Sequence, residues 1–188
     1  MTIEPLSVEF QHTLIFQAWD CLIGNAKVTY ISGPITTGLR WAEALESGAD
    51  AGKPVINANC AAIRQAADQM RREAGVLVLE PASLHVETWS QDDYLALWTT
   101  LIERHASSVA FVGGWPYSIG CALEFERAVI HCIPTSSVNG APIDLNDGIE
   151  LLMQAASALK KKSHSIPKVA YISRRLLEVA ERLRAQST

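Results

Sequence analysis

Two kinds of hydrophobic pattern alternate along the chain and divide it into short strands and longer helices. Short apolar runs bounded by turn-forming residues are typical of strands buried on both faces, and they occur at 28–31, 76–79, 109–112 and 132–135. Apolar residues spaced for one face of a helix occur at 7–23, 60–73, 91–105, 119–129, 146–160 and 167–185. The pattern therefore predicts an α/β protein.

The alternation of strands with helices predicts a doubly wound, Rossmann-like or flavodoxin-like fold. Its mainly parallel sheet, of about five strands, should have flanking helices and extra N- and C-terminal helices. A length of 188 residues suits a single domain, 1–188, with a core at about 27–160 and a C-terminal helical extension at 161–188. Since ligands bind at the carboxyl ends of parallel strands, three segments should meet in one cleft: Ser32-Gly33-Pro34, Glu80-Pro81 and Gly113-Gly114-Trp115.

The segment 35–58 has no clear hydrophobic period. Gly38, Gly48, Gly52 and Pro54 interrupt a short helical pattern near 39–45. The segment is therefore predicted to be a long functional loop, with a missed element as the alternative. Asn59 is predicted to be the N-cap of the next helix, and the run 160–165 is predicted to be a solvated link between the last two helices.

Composition and charge exclude several classes of function. Hydrophobic residues make up 48% of the chain and the formal net charge is −4, so the basic footprint of a nucleic-acid-binding protein is missing. The apolar runs are shorter than the roughly 20 residues of a membrane span, and the N-terminal residues do not resemble a signal peptide. Four scattered cysteines favour reduced thiols over disulfides or a metal site. We expect a cytoplasmic protein with no metal site and no nucleic-acid or membrane partner.

The turn at 113–118 joins a predicted strand to a predicted helix and has the features of an active site. Ser118 is a good N-cap for the helix. Gly120, Cys121 and Glu124 share one helical face, and the two small residues should leave room above the carboxylate. The alternative is that Glu124 is an ordinary surface residue.

Two motifs at two strand ends resemble those of a known family. They are Tyr30-Ile31-Ser32-Gly33-Pro34-Ile35-Thr36 after the first strand, and Gly114-Trp115, Tyr117-Ser118-x-Gly120 and Glu124-x-x-x-Ala128 after the third. Together they resemble the nucleoside 2-deoxyribosyltransferase superfamily, and most nearly its branch of (deoxy)nucleoside 5′-monophosphate N-glycosidases. The resemblance covers roughly 27–135 and leaves the N-terminal helix and the last two helices unexplained.

The resemblance implies that Glu124 is a nucleophile that attacks the anomeric carbon of a nucleoside or nucleotide. Water would then complete hydrolysis, and a second base would give transfer. Nucleoside transferases of this superfamily tend to have an aspartate where this chain has Ser118. A serine there, at a helix N-terminus, favours a substrate that carries a 5′-phosphate.

The substrate-binding residues expected from the two motifs lie in both loops. Ser32, Gly33 and Thr36 would complete a phosphate cradle, and the guanidinium of Arg40 would bind the phosphate bidentately. Ser118 has the alternative of being only an N-cap, and Arg40 of being only a solvated loop residue. The full set is Ser32, Gly33, Pro34, Ile35, Thr36, Arg40, Trp115, Ser118, Gly120 and Cys121.

The acid/base partner and the aromatic residues are less sharply defined. Similar enzymes use an aspartate upstream of the nucleophile helix, and Asp93 is slightly favoured over Asp92 for this role, with an acidic first helical turn as the alternative. The position just before the predicted strand 109–112 is commonly an aspartate in the superfamily, and in this chain it is Ser108. Tyr30 is a candidate catalytic residue, and Tyr30 or Trp115 would also suit the stacking of a nucleobase.

Three classes of function follow. The leading expectation is a hydrolase of nucleotide metabolism, an N-glycosidase acting on a nucleoside 5′-monophosphate without metal or organic cofactor. The alternatives are a nucleoside 2-deoxyribosyltransferase or a glycohydrolase of a larger nucleotide such as NAD, and a non-catalytic nucleotide-binding module. We also expect a homodimer or higher homo-oligomer. The chain has more apolar surface than is needed to cover one small sheet, and this surface lies on the helix at 7–23, on the Trp98 face and on an apolar stripe at 169–183.

Overall fold

Four parallel strands form the sheet in the computed structural model, which describes residues 6–162 and 166–186. They are β1 (Val28–Ser32), β2 (Leu77–Leu79), β3 (Ala106–Phe111) and β4 (Thr135–Ser137), in the order β2-β1-β3-β4. About five strands were expected, so the sheet is smaller than predicted. The fourth strand also begins later than predicted, because Cys132 has a positive φ of 53° and Pro134 has no N–H to donate.

Seven α-helices surround the sheet in the described part of the chain. They are α1 (Val8–Ile23), α2 (Leu39–Ser47), α3 (Lys53–Ala74), α4 (Gln91–His105), α5 (Ile119–Ile130), α6 (Leu145–Lys162) and α7 (Pro167–Ala185). The predicted bounds of α4 and α7 agree with these, and those of α1, α5 and α6 differ by one or two residues at either end. The link predicted at 160–165 lies partly inside α6, and 163–165 are outside the described residues.

The segment 35–58 is not a long loop, because it contains α2 and the start of α3. Gly48 ends α2 in the left-handed conformation, with φ 68°. Pro54 lies in the first turn of α3, where a missing N–H removes no helical hydrogen bond. Asn59 is therefore inside α3 and is not its N-cap. These turn-forming residues bound two helices instead of interrupting one.

Helices cover both faces of the sheet. The α3 face packs through Ile63 and Ala67 against β1, β2 and β3. The other face carries the larger core, to which α1, α4, α5, α6 and α7 contribute. The α7 stripe is fully inside this core, with five residues each at most 2% exposed: Val169, Ile172, Leu176, Val179 and Leu183.

Two of the three surfaces expected to support an oligomer are therefore buried within one chain. These are the α7 stripe and Trp98, which is 5% exposed. The outer side of α1 remains open and carries three exposed apolar residues, Phe10, Leu14 and Leu22, and the exposed Leu6 lies just before the helix. As for membranes, none of the described helices is both long and apolar enough to cross one.

Candidate active site

Glu124 lies on α5 facing the carboxyl end of β1. Its Oε1 accepts a hydrogen bond from the Tyr30 hydroxyl at 2.7 Å, and its Oε2 accepts one from the Ser32 hydroxyl at 2.6 Å. Tyr30 and Ser32 are two positions apart on β1, and since side chains alternate along a strand, both point to the α5 side of the sheet. The two motifs thus meet on a single carboxylate.

Burial sets the protonation behaviour of this group. Glu124 is 5% exposed, and burial raises the pKa of its carboxyl group from 4.5 to about 7, although the bonds from Ser32 and Tyr30 oppose the rise. Burial, and then the charge of Glu124, raise the pKa of Tyr30 well above its ordinary value, so its hydroxyl stays protonated as a donor. The room predicted above the carboxylate is filled by these two hydroxyl-bearing side chains.

The start of α5 holds two further polar groups next to Glu124. The Ser118 hydroxyl caps the helix by accepting from the Cys121 N–H at 3.5 Å, and Ser118 is 6% exposed. Burial first, and then the charge of Glu124, raise the pKa of the Cys121 thiol to about 12. A neutral thiol is a weak nucleophile, so Cys121 is a poor candidate for a nucleophile.

The loops after β1 and β3 touch each other beside the site. Gly38 has φ 95°, and a Cβ there would lie 2.5 Å from Pro34; Gly114 has φ 83°, and a Cβ there would lie 2.9 Å from the Cβ of Leu39. Only glycine fits such close approaches at positive φ without strain. The helix α2 that follows Gly38 packs into the core through its buried Trp41. The loop carrying Pro34 and the start of α2 therefore cover this end of the sheet.

Several residues expected to cradle a phosphate instead stabilise the first loop. Arg40 donates to Asn59 Oδ1 at 3.1 Å, and the Asn59 amide donates to the carbonyls of Ile35 and Thr37 at 3.1 and 2.9 Å. Gly33 packs against Ile63 of α3, where an added Cβ would lie 2.5 Å away. Thr36 is half-buried in the same loop.

The structure gives Asp93 a different role from the predicted one. Its Oδ2 accepts from both the N–H and the hydroxyl of Ser90, each at 2.7 Å, and these bonds lower the pKa of the carboxyl group. This is a capping box at the start of α4. The hydrogen bonds of Asp93 thus belong to its own helix end, as the acidic-first-turn alternative describes, and Asp92 is exposed beside it.

The aromatic residues near the motifs belong to the core. Tyr30 is fully buried, with its ring 5.9 Å from that of Trp98. Trp115 is 4% exposed and packs against Phe111 at 4.6 Å and Phe125 at 5.2 Å. Neither Tyr30 nor Trp115 presents an open face to a base, because both side chains point into the core on the α5 side of the sheet.

Glu80 is a polar residue that the sequence placed in the expected cleft but to which neither motif gave a role. It is 8% exposed and directly follows β2, whose Leu79 pairs with Tyr30 of β1. Its carboxylate accepts from the Ala82 N–H at 2.5 Å and from the Ser83 hydroxyl. The available signal was its place in the sequence, since a carboxylate after a buried parallel strand lies at the binding edge of the sheet.

Glu124 does not line either of two open cavities on the described surface. One of about 280 Å³ lies beside Glu80 and is walled by Trp19, Leu84 and Trp98. The other, of about 600 Å³, runs along the outer side of α6 near Met153 and away from the strand ends. Within the described residues, no group of three His, Cys, Asp or Glu side chains is placed to hold a metal ion.

Comparison of the chain with protein-family models, with curated proteins and with solved structures finds no match. The site geometry is therefore the basis for assigning a function.

Proposed function

We propose that this chain is an N-glycosidase that hydrolyses the bond between base and sugar in a nucleoside 5′-monophosphate, with Glu124 as the nucleophile. The observation that carries the proposal is the buried Glu124 carboxylate, held on both oxygens by hydroxyl donors at the carboxyl end of β1. Buried carboxyl groups with a strongly raised pKa in a strand-end site are typical of catalytic centres. The resemblance of both motifs to the 2-deoxyribosyltransferase superfamily supports the same reaction.

The proposed reaction has two displacement steps at the anomeric carbon. In the first, the Glu124 carboxylate forms a bond to C1′ while the C1′–N bond breaks, and the base leaves with the electron pair and takes up a proton. In the second, water attacks C1′, the ester to Glu124 breaks, and the sugar phosphate is released with a proton. Both steps pass through an oxocarbenium-like state that a close carboxylate stabilises.

The Tyr30 and Ser32 hydroxyls fix the carboxylate for this chemistry. Each donates to a different oxygen, so the carboxylate plane is set by two bonds of 2.6 to 2.7 Å. Hydrogen bonds to the charged form also counteract burial. Because the pKa of Glu124 is nevertheless about 7, only part of the enzyme has an ionised nucleophile at neutral pH.

The start of α5 is the proposed site for the 5′-phosphate. The first N–H groups of a helix have no helical carbonyl partner, and the helix dipole favours an anion there. A Cβ placed on Gly120 would meet only the Ser118 hydroxyl, at 3.8 Å, so the first turn has open space beside this hydroxyl. A phosphate bound here would lie one helical turn from Glu124.

Substrate entry requires movement of the cover over the site, because Glu124 is only 5% exposed. The helix α2 lies between Gly38 and Gly48, both at positive φ. Such glycines absorb backbone rotation readily. We propose that α2 opens as a unit to admit the nucleotide and closes over it.

The test is release of free base from a panel of nucleosides and nucleotides, followed by chromatography. The proposal expects release from monophosphates, and a loss of at least about 10³-fold in Glu124→Gln. Glu181→Gln, which changes an exposed glutamate on α7, is the matched control and should keep full activity. Base exchange between nucleosides would instead indicate a transferase, and binding without release would indicate a nucleotide-binding module.

We further propose that two copies of the chain associate through the outer side of α1. Phe10 and Leu14 are 49% and 43% exposed and lie one turn apart on this side, and removing such apolar area from water favours association. Light scattering at micromolar concentration should show a dimer, and Phe10→Glu with Leu14→Glu should give a monomer. A wild-type monomer under these conditions contradicts this proposal.

A further inference from the structure

We infer that Glu80 and the cavity beside it bind the nucleobase of the substrate, with the Glu80 carboxylate accepting hydrogen bonds from N–H groups on the edge of a planar heterocycle. The inference rests on the proposed N-glycosidase function and adds the part of the site that reads the base. It assigns a specificity role to a residue that neither motif contains.

The buried carboxylates of this chain differ in their cation partners. Three carboxylates are buried among the described residues: Glu80, Glu124 and Glu126. Glu126 has a bidentate ion pair with Arg182, at 2.6 and 2.7 Å. For Glu80, the described residues provide no ion pair within 4.0 Å.

Arg71 also lines the cavity beside Glu80. Its guanidinium donates to an Asp68 oxygen at 2.9 Å and to the Val78 carbonyl at 3.0 Å. Burying a carboxylate is costly unless donors compensate it, so further donors from a ligand would be favourable here.

Glu80 also has unused acceptor capacity. An ionised carboxylate has about four acceptor positions on its two oxygens. The Ala82 N–H and the Ser83 hydroxyl each occupy one of them. These two bonds fix the orientation of the group, and the remaining positions are available to a ligand. A carboxylate offers no donor when ionised, so it selects N–H groups over ring nitrogens or carbonyl oxygens.

The adjoining cavity has a size and a lining that suit a nucleobase. Its volume of about 280 Å³ is just below the roughly 300–1,000 Å³ of pockets that enclose a drug-sized ligand. It therefore suits one ring system and is too small for a whole nucleotide. The indoles of Trp19 and Trp98 line it, with ring centroids 5.7 Å apart. Aromatic walls with a few polar groups are well matched to a flat heterocycle.

The cavity also lies near Glu124. Trp98, which lines the cavity, packs against the ring of Tyr30, and the Tyr30 hydroxyl donates to Glu124. The charge of Glu80 is close enough to contribute to the raised pKa of Tyr30. A base beside Glu80 and a sugar beside Glu124 would therefore occupy adjoining parts of one strand-end site, next to Tyr30.

The experiment measures binding of base analogues that cannot be hydrolysed, so that it does not depend on catalysis. The probes are 9-methyladenine, 9-methylguanine, 1-methylcytosine and 1-methyluracil, in which a methyl group replaces the sugar. Their affinity is measured by calorimetry, and the indole N–H signals of Trp19 and Trp98, assigned by Trp→Phe substitution, report the location by NMR. We expect at least one probe to bind and to shift these two signals.

Two controls isolate the hydrogen bond to Glu80. Glu80→Gln should lower the affinity for the bound probe at least 10-fold. Glu87→Gln, which changes an exposed glutamate between β2 and α4, should leave that affinity unchanged. On the unmodified protein, the version of the bound probe with its N–H groups methylated should also bind at least 10-fold more weakly. This second measurement needs no variant to fold.

The outcomes separate this inference from the proposed function. If no probe binds, or if one binds equally to the wild type and to Glu80→Gln, the inference is overturned, whatever the base-release assay shows. If a probe binds as expected but no nucleotide releases its base, the N-glycosidase proposal fails while the assignment of a heterocycle site at Glu80 stands.

Discussion

Burial of the Glu124 carboxyl group predicts that Glu124→Gln stabilises the fold at alkaline pH, although it removes the proposed nucleophile. A glutamine has nearly the same shape and is never charged. It retains a carbonyl oxygen for one hydroxyl, and its amide can donate to the other. The variant therefore keeps the contacts with Tyr30 and Ser32 and avoids the cost of a buried charge.

The size of the effect follows from the pKa. The carboxyl pKa is 4.5 as an ordinary value and about 7 in the fold. Between these two pH values the unfolded chain has lost the proton and the folded chain keeps it, so the free energy of unfolding falls as the pH rises. A difference of this size corresponds to about 3 kcal/mol, fully developed above pH 7 and absent below pH 4.5. For a chain of this length that is roughly 6–12 °C in melting temperature.

The assay is urea unfolding of the wild type, Glu124→Gln and the control Glu181→Gln between pH 5 and pH 8. We expect similar stability for all three near pH 5, and a widening advantage of Glu124→Gln that reaches about 3 kcal/mol at pH 8. The reasoning is refuted if Glu124→Gln is no more stable than the wild type at pH 8, or if the gap between the two does not change with pH.

Three further predictions concern activity and packing. The rate of the proposed hydrolysis should rise with pH and level off above about 7, because Glu124 must be ionised; a flat rate between pH 5 and 8 contradicts its role as nucleophile. Tyr30→Phe removes one donor to the charged carboxylate, so the same pH profile should shift to higher pH and its plateau should fall; an unshifted profile would remove Tyr30 from the site. Gly148→Ala would place a Cβ 2.1 Å from the Phe125 ring and should lower the free energy of unfolding by about 1–3 kcal/mol. Gly113→Ala is the control, because a Cβ there meets nothing within 4 Å, and it should change the free energy of unfolding little. Equal stability of the two variants would show that the Phe125 ring moves aside.

Apolar spacing predicted the bounds of α4 and α7. The structure shows that local chemistry sets the start of each helix, since the Ser90 side chain caps α4 and Pro167 lies in the first turn of α7. The same reasoning failed at 35–58, because Gly48 and Pro54 also stand at helix ends, where they are favourable. Whether such a residue interrupts one helix or separates two depends on packing, which the local sequence does not contain.

The contacts of the candidate site were harder to predict than its location. The strand-end rule placed Ser32 and the turn before α5 together, and β1 does pair with β3. The bond between Tyr30 and Glu124 depends on strand register and helix rotation, which are properties of the whole fold. For the same reason Trp115 was expected to meet a base, although it completes the core between Phe111 and Phe125.

The ion pair between Arg182 and Glu126 bears on how the molecule is made. Arg182 lies 56 residues after Glu126 in the chain, and its bidentate bonds join α7 to the helix that carries Glu124. Chains emerge from the ribosome N-terminus first, at about 5–20 residues per second. During several seconds of synthesis, α5 has already emerged while Arg182 has not. The contact that joins α7 to the helix bearing Glu124 can therefore form only when nearly all of the sequence has been translated.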